Sequence, residues 1–385
     1  MLVGGGSGGH ITPLLAVAHK LKQTNSEIEI SYVIEKGGRF SSLPKKSADV
    51  DEVFSIRAGK FRRYHNRSKI QHLLDFSTNI KNLRDFFYFV IGFFQSLRVL
   101  IKAKPQSVFI KGGFVGVPLG FACKILHVPY FTHDSDTVPG LANRLISKNA
   151  QWHAVGMPPE FYKYPIAKIR YVGIPLNANI VPVSNALKMK YRSKLGLPAD
   201  SIVICVTGGS LGAQRLNKAF VSIAKQLLEE FPRLYVLHIT GETKENIYNN
   251  FNHQLLSRII VKEFVDDFYL YTGSSDLVIT RAGATTVAEL AVQGKATILV
   301  PNPELTDGQQ TKNAHYLKAS GAVMVVEEKD MTQPDVFVGE VRVVLSSPAS
   351  REQLKENISK LAKPHATDQL ANMCIELAEK SDRKR

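Results

Sequence analysis

Three times along the chain a short run of Val, Ile or Leu stops at a cluster of glycines, and a helix-length segment follows at once. The clusters are Gly4-Gly5-Gly6-Ser7-Gly8-Gly9-His10, Gly112-Gly113-Phe114-Val115-Gly116 and Gly208-Gly209-Ser210-Leu211-Gly212. Glycine lets a strand turn sharply into a helix and lets backbone N–H groups crowd around an anion at the helix start. Parallel strands need crossovers long enough for a helix, so corners of this kind predict alternating β and α elements. Apolar runs at 28–34, 107–110, 128–132, 169–172, 202–207, 234–239, 259–261, 276–280 and 296–300 read as strands covered on both faces. Segments 12–24, 213–230, 285–293 and 308–320 read as helices, the first beginning near Thr12-Pro13.

A chain of 385 residues exceeds one ordinary core. Two βα series lie on either side of the proline-bearing stretch 165–182. The expected fold class is therefore α/β, with two doubly wound Rossmann-like domains facing a cleft. The expected boundaries are 1–178, a linker at 179–187, a second domain at 188–350, and a helical tail at 351–385 able to pack back on the first domain.

Charge is distributed unevenly. Residues 1–180 hold 24 Lys and Arg against 11 Asp and Glu, whereas residues 181–385 hold 25 against 23. The basic half should meet a polyanion, an anionic membrane or a phosphorylated substrate. Cys123, Cys205 and Cys374 are far apart, which argues against a disulfide framework or a cysteine zinc site. Only Met1-Leu2-Val3 precedes the first glycines, so no signal peptide is expected and the chain should be cytoplasmic. The most apolar run, residues 86–94 (FFYFVIGFF), is nine residues long, and a spanning helix needs about 20. A buried helix is expected there. Residues 60–76 carry Lys60, Arg62, Arg63, His65 and Arg67 beside Phe61, Tyr64, Ile70 and Leu73, a pattern suited to an anionic interface. No nucleic-acid recognition module is evident.

Gly4-x-Gly6-x-x-Gly9 matches a dinucleotide fingerprint in form, with Glu35 as the corresponding ribose acid. His10 stands at the mouth of that turn, where a histidine can act as a base. Three glycine corners exceed what one dinucleotide needs and suit two phosphorylated molecules. A fourth motif is the run Thr280-Arg281-Ala282-Gly283-Ala284-Thr285-Thr286-Val287-Ala288-Glu289-Leu290. It can be a diphosphate site with a ribose carboxylate one turn on, or a plain capping box. Asp307-Gly308-Gln309-Gln310 with Asn313 opens another helix. Asp134-Ser135-Asp136 could clamp a divalent cation, but it stands in the first domain, away from the nucleotide motifs, so no metal and no cofactor are assigned.

The glycine turn ending in His, the GGS-x-GA turn, the R-x-GA-x-T-x-x-E run and the D-x-QQ-x-x-N helix occur together and in order. In this the chain resembles the MurG-type bacterial peptidoglycan glycosyltransferases over residues 1 to about 325. The resemblance implies a B-type glycosyltransferase fold and transfer of N-acetylglucosamine from UDP-N-acetylglucosamine to lipid I, an undecaprenyl-diphosphate-linked muramyl pentapeptide. It places His10 as the base and Ser7, Gly8 and Gly9 on the donor-contacting turn. Ser210 falls near the donor diphosphate, and Val265 would hold uracil by its backbone. Ala284, Thr285, Thr286 and Val287 would line the diphosphate, with Ala288 beside them and Glu289 on the ribose. Gln309 and Gln310 would contact the sugar. Gly112, Gly113 and Gly116 would take the acceptor diphosphate, and the anionic inner membrane surface would be the resting place.

Two positions depart from the family pattern. Asp136 stands where His-Glu-Gln-Asn would put an amide on the donor sugar, and Asn177 replaces an arginine. The reaction expected is an inverting transfer to the muramyl C4 hydroxyl with no covalent intermediate. Alternatives are another lipid-directed transferase of the same fold, a UDP-N-acetylglucosamine 2-epimerase, a nicotinamide dehydrogenase and a non-catalytic lipid binder.

Overall fold

The computed structural model describes residues 1–38, 40–60, 76–209, 212–242, 247–305 and 308–383. The chain divides into two compact units, Met1–Asn177 with Lys363–Arg385, and Ala178–Ala362.

The first unit is built on seven parallel strands: β1 (Leu2–Val3), β2 (Ser31–Glu35), β3 (Glu52–Ile56), β4 (Val108–Ile110), β5 (Tyr130–Asp134), β6 (His153–Val155) and β7 (Ile169–Tyr171). Their order across the sheet is β3-β2-β1-β4-β5-β6-β7. Side chains alternate between faces along a strand, and both faces are apolar here. Leu2, Tyr32, Ile34, Phe109 and Phe131 pack on one side with Ile11, Leu14 and Val17 of the helix Gly8–Thr24. Val3, Val33, Val108 and Ile110 pack on the other with Leu119 and Cys123 of the helix Gly116–Ile125.

The helix Ala366–Asp382 returns to this unit and seats Leu370, Met373 and Leu377 on the first of these cores. The helix Pro348–Ser359, by contrast, lies in the second unit. Ser107 donates from its hydroxyl to the Cys374 carbonyl at 3.0 Å, and Thr367 binds Leu176 through both of its backbone groups.

The second unit has six parallel strands: β8 (Ile202–Thr207), β9 (Leu234–Ile239), β10 (Ile259–Lys262), β11 (Leu277–Thr280), β12 (Thr297–Leu299) and β13 (Met324–Val325), in the order β10-β9-β8-β11-β12-β13. The two doubly wound sheets thus share one topology. Each reverses direction once, between β1 and β4 and between β8 and β11. At such a switch point neighbouring strands send the chain to opposite faces, and the space beyond their carboxyl ends is left open for a ligand.

Strands β3, β6 and β13 were absent from the sequence expectation. The first is half polar (EVFSI), and the other two are three and two residues long, too short for any period to register. The first helix begins at Gly8, four residues before the expected Thr12, and Pro13 lies inside it. A proline denies a bond only to the carbonyl four residues earlier, here Gly9 in the first turn, so the helix tolerates it.

Leu370→Ala removes a fully buried side chain from the returning helix. It should lower the unfolding free energy of the first unit by about 2–5 kcal/mol, read as a shift of that unit's denaturant midpoint by circular dichroism. No shift would show that the returning helix is dispensable for packing.

Candidate functional site

All four motif turns fall at the switch points. In the first unit the turn after β1 meets the turn after β4. Gly6 adopts φ +84°, and its N–H donates to Glu35 Oε1 at 2.9 Å. Glu35 ends β2 and is 7% exposed, and its Oε2 has no hydrogen-bond partner among the described residues. A Cβ on Gly5 would lie 1.7 Å from that oxygen, so the carboxylate fills the back of the turn. Glu35 is therefore a structural brace for the glycine turn, where the dinucleotide pattern had cast it as a ribose acid.

His10 sits in the first turn of the helix Gly8–Thr24, with Nδ1 2.9 Å from Ser7 Oγ. The Gly5 carbonyl also bonds the ring. Burial, followed by the charge of Lys111, lowers the imidazole pKa to about 4. His10 is thus neutral at physiological pH and can accept a proton. Gly8 is buried, whereas Ser7 and Gly9 are partly exposed.

The second turn follows β4. Gly112 and Gly113 adopt φ +114° and +79°, conformations reserved for glycine. A Cβ on Gly113 would stand 2.9 Å from the Gly5 carbonyl oxygen and 3.8 Å from His10 Nδ1, so the two turns are in contact. Gly116 serves packing, since a Cβ there would strike Ile110 Cγ2 at 2.5 Å. Lys111, immediately before the turn, is 3% exposed and donates to Ser135 Oγ.

Asp134 accepts from the Gly140 N–H, Asn143 Nδ2 and the Tyr164 hydroxyl at 2.9, 3.0 and 2.8 Å. Both its oxygens are occupied by protein donors, which leaves the D-x-D segment poorly suited to clamp a cation. Among the described residues no cluster of three or more His, Cys, Asp or Glu could hold a metal. Asp136 is partly exposed and near Lys111, while Asn177 is exposed at the end of the first unit.

In the second unit Gly212 adopts φ +70° in the turn after β8, and a Cβ there would stand 2.7 Å from the Thr240 carbonyl oxygen. Ser210 lies outside the described residues. After β11 the cap of the helix Ala284–Gln293 is Gly283, and no side chain caps it. The capping-box reading is thereby overturned: Thr285 and Thr286 are within the first turn, and among the described residues no side chain caps its amides. Glu289 is partly exposed and hydrogen-bonds to no described residue; burial raises its pKa to about 8. Ala284 and Val287 are buried, and Ala288 is partly exposed.

The Arg281 guanidinium is locked inside the protein. It donates to the Val300 carbonyl at 3.1 Å and pairs with Glu328, which also takes Arg215 Nε at 2.8 Å. Glu328 lies 47 residues from its partner, and no sequence signal connects the two. Gln310 accepts from the Asn302 N–H at 3.0 Å, which fastens the helix Gln309–Ala319 to the loop after β12. Gln309 is partly exposed, and Asn313 Nδ2 reaches the Ala282 carbonyl at 3.4 Å. Val265 packs its side chain on the core and makes no backbone hydrogen bond among the described residues, leaving its N–H and C=O available.

The apolar run 86–94 belongs to a helix of 28 residues, Phe76–Ala103. Its segment Ile80–Ala103 is long and apolar enough by length and composition to cross a membrane, which the nine-residue run concealed. The expectation of burial fails too: Phe86, Phe87 and Phe94 are 50, 57 and 60% exposed. At 100° per residue, Ile80, Leu83, Phe87, Ile91, Phe94 and Ile101 share an arc of roughly 80°, and all are exposed. Exposed Lys81, Arg84, Arg98 and Lys102 lie along or beside it. The opposite face is packed: Asp85 and Ser96 are buried, and a Cβ on Gly92 would strike the Arg57 carbonyl. The basic stretch 61–75 lies outside the described residues.

Residues 1–154 match the glycosyltransferase family 28 N-terminal domain and residues 203–370 its C-terminal domain. The UDP-N-acetylglucosamine–N-acetylmuramyl-(pentapeptide) pyrophosphoryl-undecaprenol N-acetylglucosamine transferase of Caldicellulosiruptor saccharolyticus is 30% identical over 374 residues, 96% of this chain and 95% of its own. The enzyme of the same name from Lachnospira eligens is 31% identical over 97% of both chains. Among solved structures, Acinetobacter baumannii MurG superposes with a TM-score of 0.72 at 23% identity, covering 97% of this chain and 98% of its own. The UDP-GlcNAc 2-epimerase of Neisseria meningitidis reaches 0.65 at 14% identity over 97% and 99%, a likeness of fold alone.

The Glu289 carboxyl should titrate near pH 8, against about 4.3 for an unperturbed glutamate. Carbon-13 NMR of glutamate-labelled protein, with Glu289→Gln for assignment, reads this directly. A midpoint below pH 5.5 would mean the carboxyl is well hydrated.

Proposed function

Because the chain belongs to glycosyltransferase family 28, in its MurG-type branch, we propose that it transfers N-acetylglucosamine from UDP-N-acetylglucosamine to the C4 hydroxyl of the muramyl sugar of lipid I, making lipid II. The observation that carries this reading is Glu289, a half-buried carboxyl without a partner among the described residues, one turn into a helix whose N-cap, Gly283, makes no side-chain cap. A ribose diol donates two hydrogen bonds to such a carboxylate, and a diphosphate suits the helix start just before it.

In this reading the second unit holds the donor. Val265 offers its backbone to uracil, while Ala284, Thr285, Thr286 and Val287, with Ala288 beside them, line the diphosphate. Gln309 and Gln310 serve the sugar, Gln310 through the amide nitrogen that its bond to Asn302 leaves over. The first unit holds the acceptor at the Gly112-Gly113 turn. His10, held through Nδ1 by Ser7, presents Nε2 to the C4 hydroxyl and takes its proton as the oxygen attacks the anomeric carbon. The bond from that carbon to the UDP oxygen breaks, and the charge gathering on UDP is met by the amides at the start of the helix Ala284–Gln293.

The exposed stripe on the helix Phe76–Ala103 favours a lipid-linked acceptor over a soluble one. Its apolar side chains would enter an anionic membrane surface while Lys81, Arg84, Arg98 and Lys102 meet lipid phosphates. The packed opposite face keeps the helix part of the unit, so the protein would rest on the inner membrane peripherally.

Transfer of radiolabelled N-acetylglucosamine to purified lipid I tests the reaction. His10→Ala should lower kcat by about 10²–10⁴ with UDP affinity within twofold, whereas Glu289→Ala should weaken UDP binding. In the wild type kcat, measured with donor and acceptor both saturating, should hold its neutral-pH value down to about pH 5, because the His10 pKa is lowered to about 4; a fall beginning near pH 6.5 would count against a neutral, desolvated His10.

The double variant Phe87→Ser/Phe94→Ser should reduce sedimentation with phosphatidylglycerol vesicles by about tenfold or more per residue, from about 1.5–3 kcal/mol for each buried ring. Unchanged sedimentation would take the stripe out of membrane contact.

A further inference from the structure

Lys111 has no part in the motifs that identify the family, yet it is the most unusual charge in the first unit. It follows β4 directly at the switch point, just before Gly112-Gly113, and is 3% exposed. An ammonium carries three N–H donors. Among the described residues Ser135 Oγ is the one hydrogen-bond acceptor facing it. Buried donors without acceptors are costly, and in native proteins they point to a ligand or ordered solvent.

The surroundings are equally specific. Asp136 and Asp134 act on Lys111 from the β5 side, and His10 and His133 lie close enough to feel its charge. Asn143 lies beside Gly112, and its Oδ1 is buried without a hydrogen-bond partner among the described residues. Gly113, Ser135 and Asp136 are partly exposed, so the ammonium lies under a thin cover rather than deep in the core. The Gly112 and Gly113 amides make no hydrogen bond among the described residues.

We propose that Lys111 is the charged member of the acceptor diphosphate site: its ammonium and the Gly112 and Gly113 amides together bind the diphosphate oxygens of the lipid-linked acceptor. This rests on the acceptor reading above and adds the residue that discriminates for the acceptor's charge. Lysine serves phosphate as a point charge with rotatable donors, and a glycine turn supplies fixed ones. Asp134 and Asp136 keep the ammonium charged in the absence of substrate. Burial lowers the Lys111 pKa to about 8, and these two carboxylates oppose it. His10 remains neutral beside the cation, so acceptor binding and proton removal can occupy neighbouring atoms.

A consequence is a pH dependence on the acceptor side alone. As pH rises through about 8 the free enzyme loses the Lys111 proton and with it affinity for a diphosphate. The titratable groups facing Lys111 are His10, His133, Asp134 and Asp136; burial pushes both histidines to lower pKa, so neither loses a proton near pH 8, while burial pushes the Asp134 carboxyl upward, and the Lys111→Arg comparison separates its titration from that of Lys111.

The experiment measures lipid I KM at saturating donor from pH 6.5 to 9.5 for the wild type, Lys111→Met and Lys111→Arg. UDP affinity and thermal midpoint are followed in parallel, and inorganic pyrophosphate binding to UDP-saturated protein is read by calorimetry. Lys111→Met should raise acceptor KM tenfold or more at pH 7 with UDP affinity within twofold. The wild-type KM should climb above pH 8, and Lys111→Arg should restore low KM and move that climb beyond the range. Pyrophosphate binding should weaken in Lys111→Met and return in Lys111→Arg. If Lys111→Met fails to fold, the wild-type and Lys111→Arg profiles still decide. An unchanged KM in Lys111→Met, or a climb that persists in Lys111→Arg, overturns the proposal. If the wild type transfers nothing to lipid I but pyrophosphate binding still depends on Lys111, the acceptor reading falls and the anion site stands. If transfer occurs and neither measure depends on Lys111, the anion site falls alone.

Discussion

A parallel sheet cannot use hairpins, so every strand must pass its chain to a helix on one face or the other. Where β1 and β4 in one unit, and β8 and β11 in the other, send their chains to opposite faces, no crossover spans the strand ends between them. The placement of the candidate site residues follows from that constraint. His10, Lys111 and the Gly112-Gly113 turn are there because β1 and β4 end there. Arg281, Thr285 and Glu289 are there because β11 does. The glycines are needed because two turns must share the same small space, as Gly113 does with Gly5 and Gly212 with Thr240.

Open switch points are fragile unless something fixes the turns from behind, and each unit uses a carboxylate. Glu35 accepts the Gly6 N–H and fills the volume that a Cβ on Gly5 would need. Glu328 holds Arg281, which in turn holds the Val300 carbonyl. The Arg281–Glu328 pair is buried on both sides, where losing one partner strands the other and costs several kcal/mol, whereas Glu35 is buried against an exposed Gly6. Their role is geometric. They hold backbone amides at fixed positions, so that a phosphate meets donors already in place.

The alternation of strands, the glycine corners and the R-x-GA-x-T-x-x-E run were legible because they are local. A Val- and Ile-rich run such as 202–207 and the glycines after it report their own conformation. What escaped was long-range or short. Glu328 and Arg281 meet across 47 residues, and Lys111 meets Ser135 across 24; neither burial nor partnership can be read from such separations. The one available signal for Lys111 was position, a charged residue closing an otherwise buried strand at a glycine turn. The helix Phe76–Ala103 was misread for another reason. Its aromatic run mixes both faces, and only the 3.6-residue period separates the packed Gly92 and Ser96 from the exposed Phe87, Ile91 and Phe94.

Burial acts on His10, Lys111 and Glu289 in one sense: it disfavours whichever form is charged. The imidazole is held neutral outright, while the ammonium and the carboxyl are brought near the point where either form is accessible at neutral pH. A substrate's own charges and donors can then decide the balance. A ribose diol favours the ionised Glu289, so donor binding would release a proton; a diphosphate favours the protonated Lys111, so acceptor binding would take one up. With Glu289 on the donor and Lys111 on the acceptor, as proposed, the two half-sites would carry opposite proton linkages. Over the range around pH 8, a rise in pH would strengthen the donor half-site and weaken the acceptor half-site, so turnover at limiting concentrations of both substrates would pass through a maximum that neither half-site would produce alone.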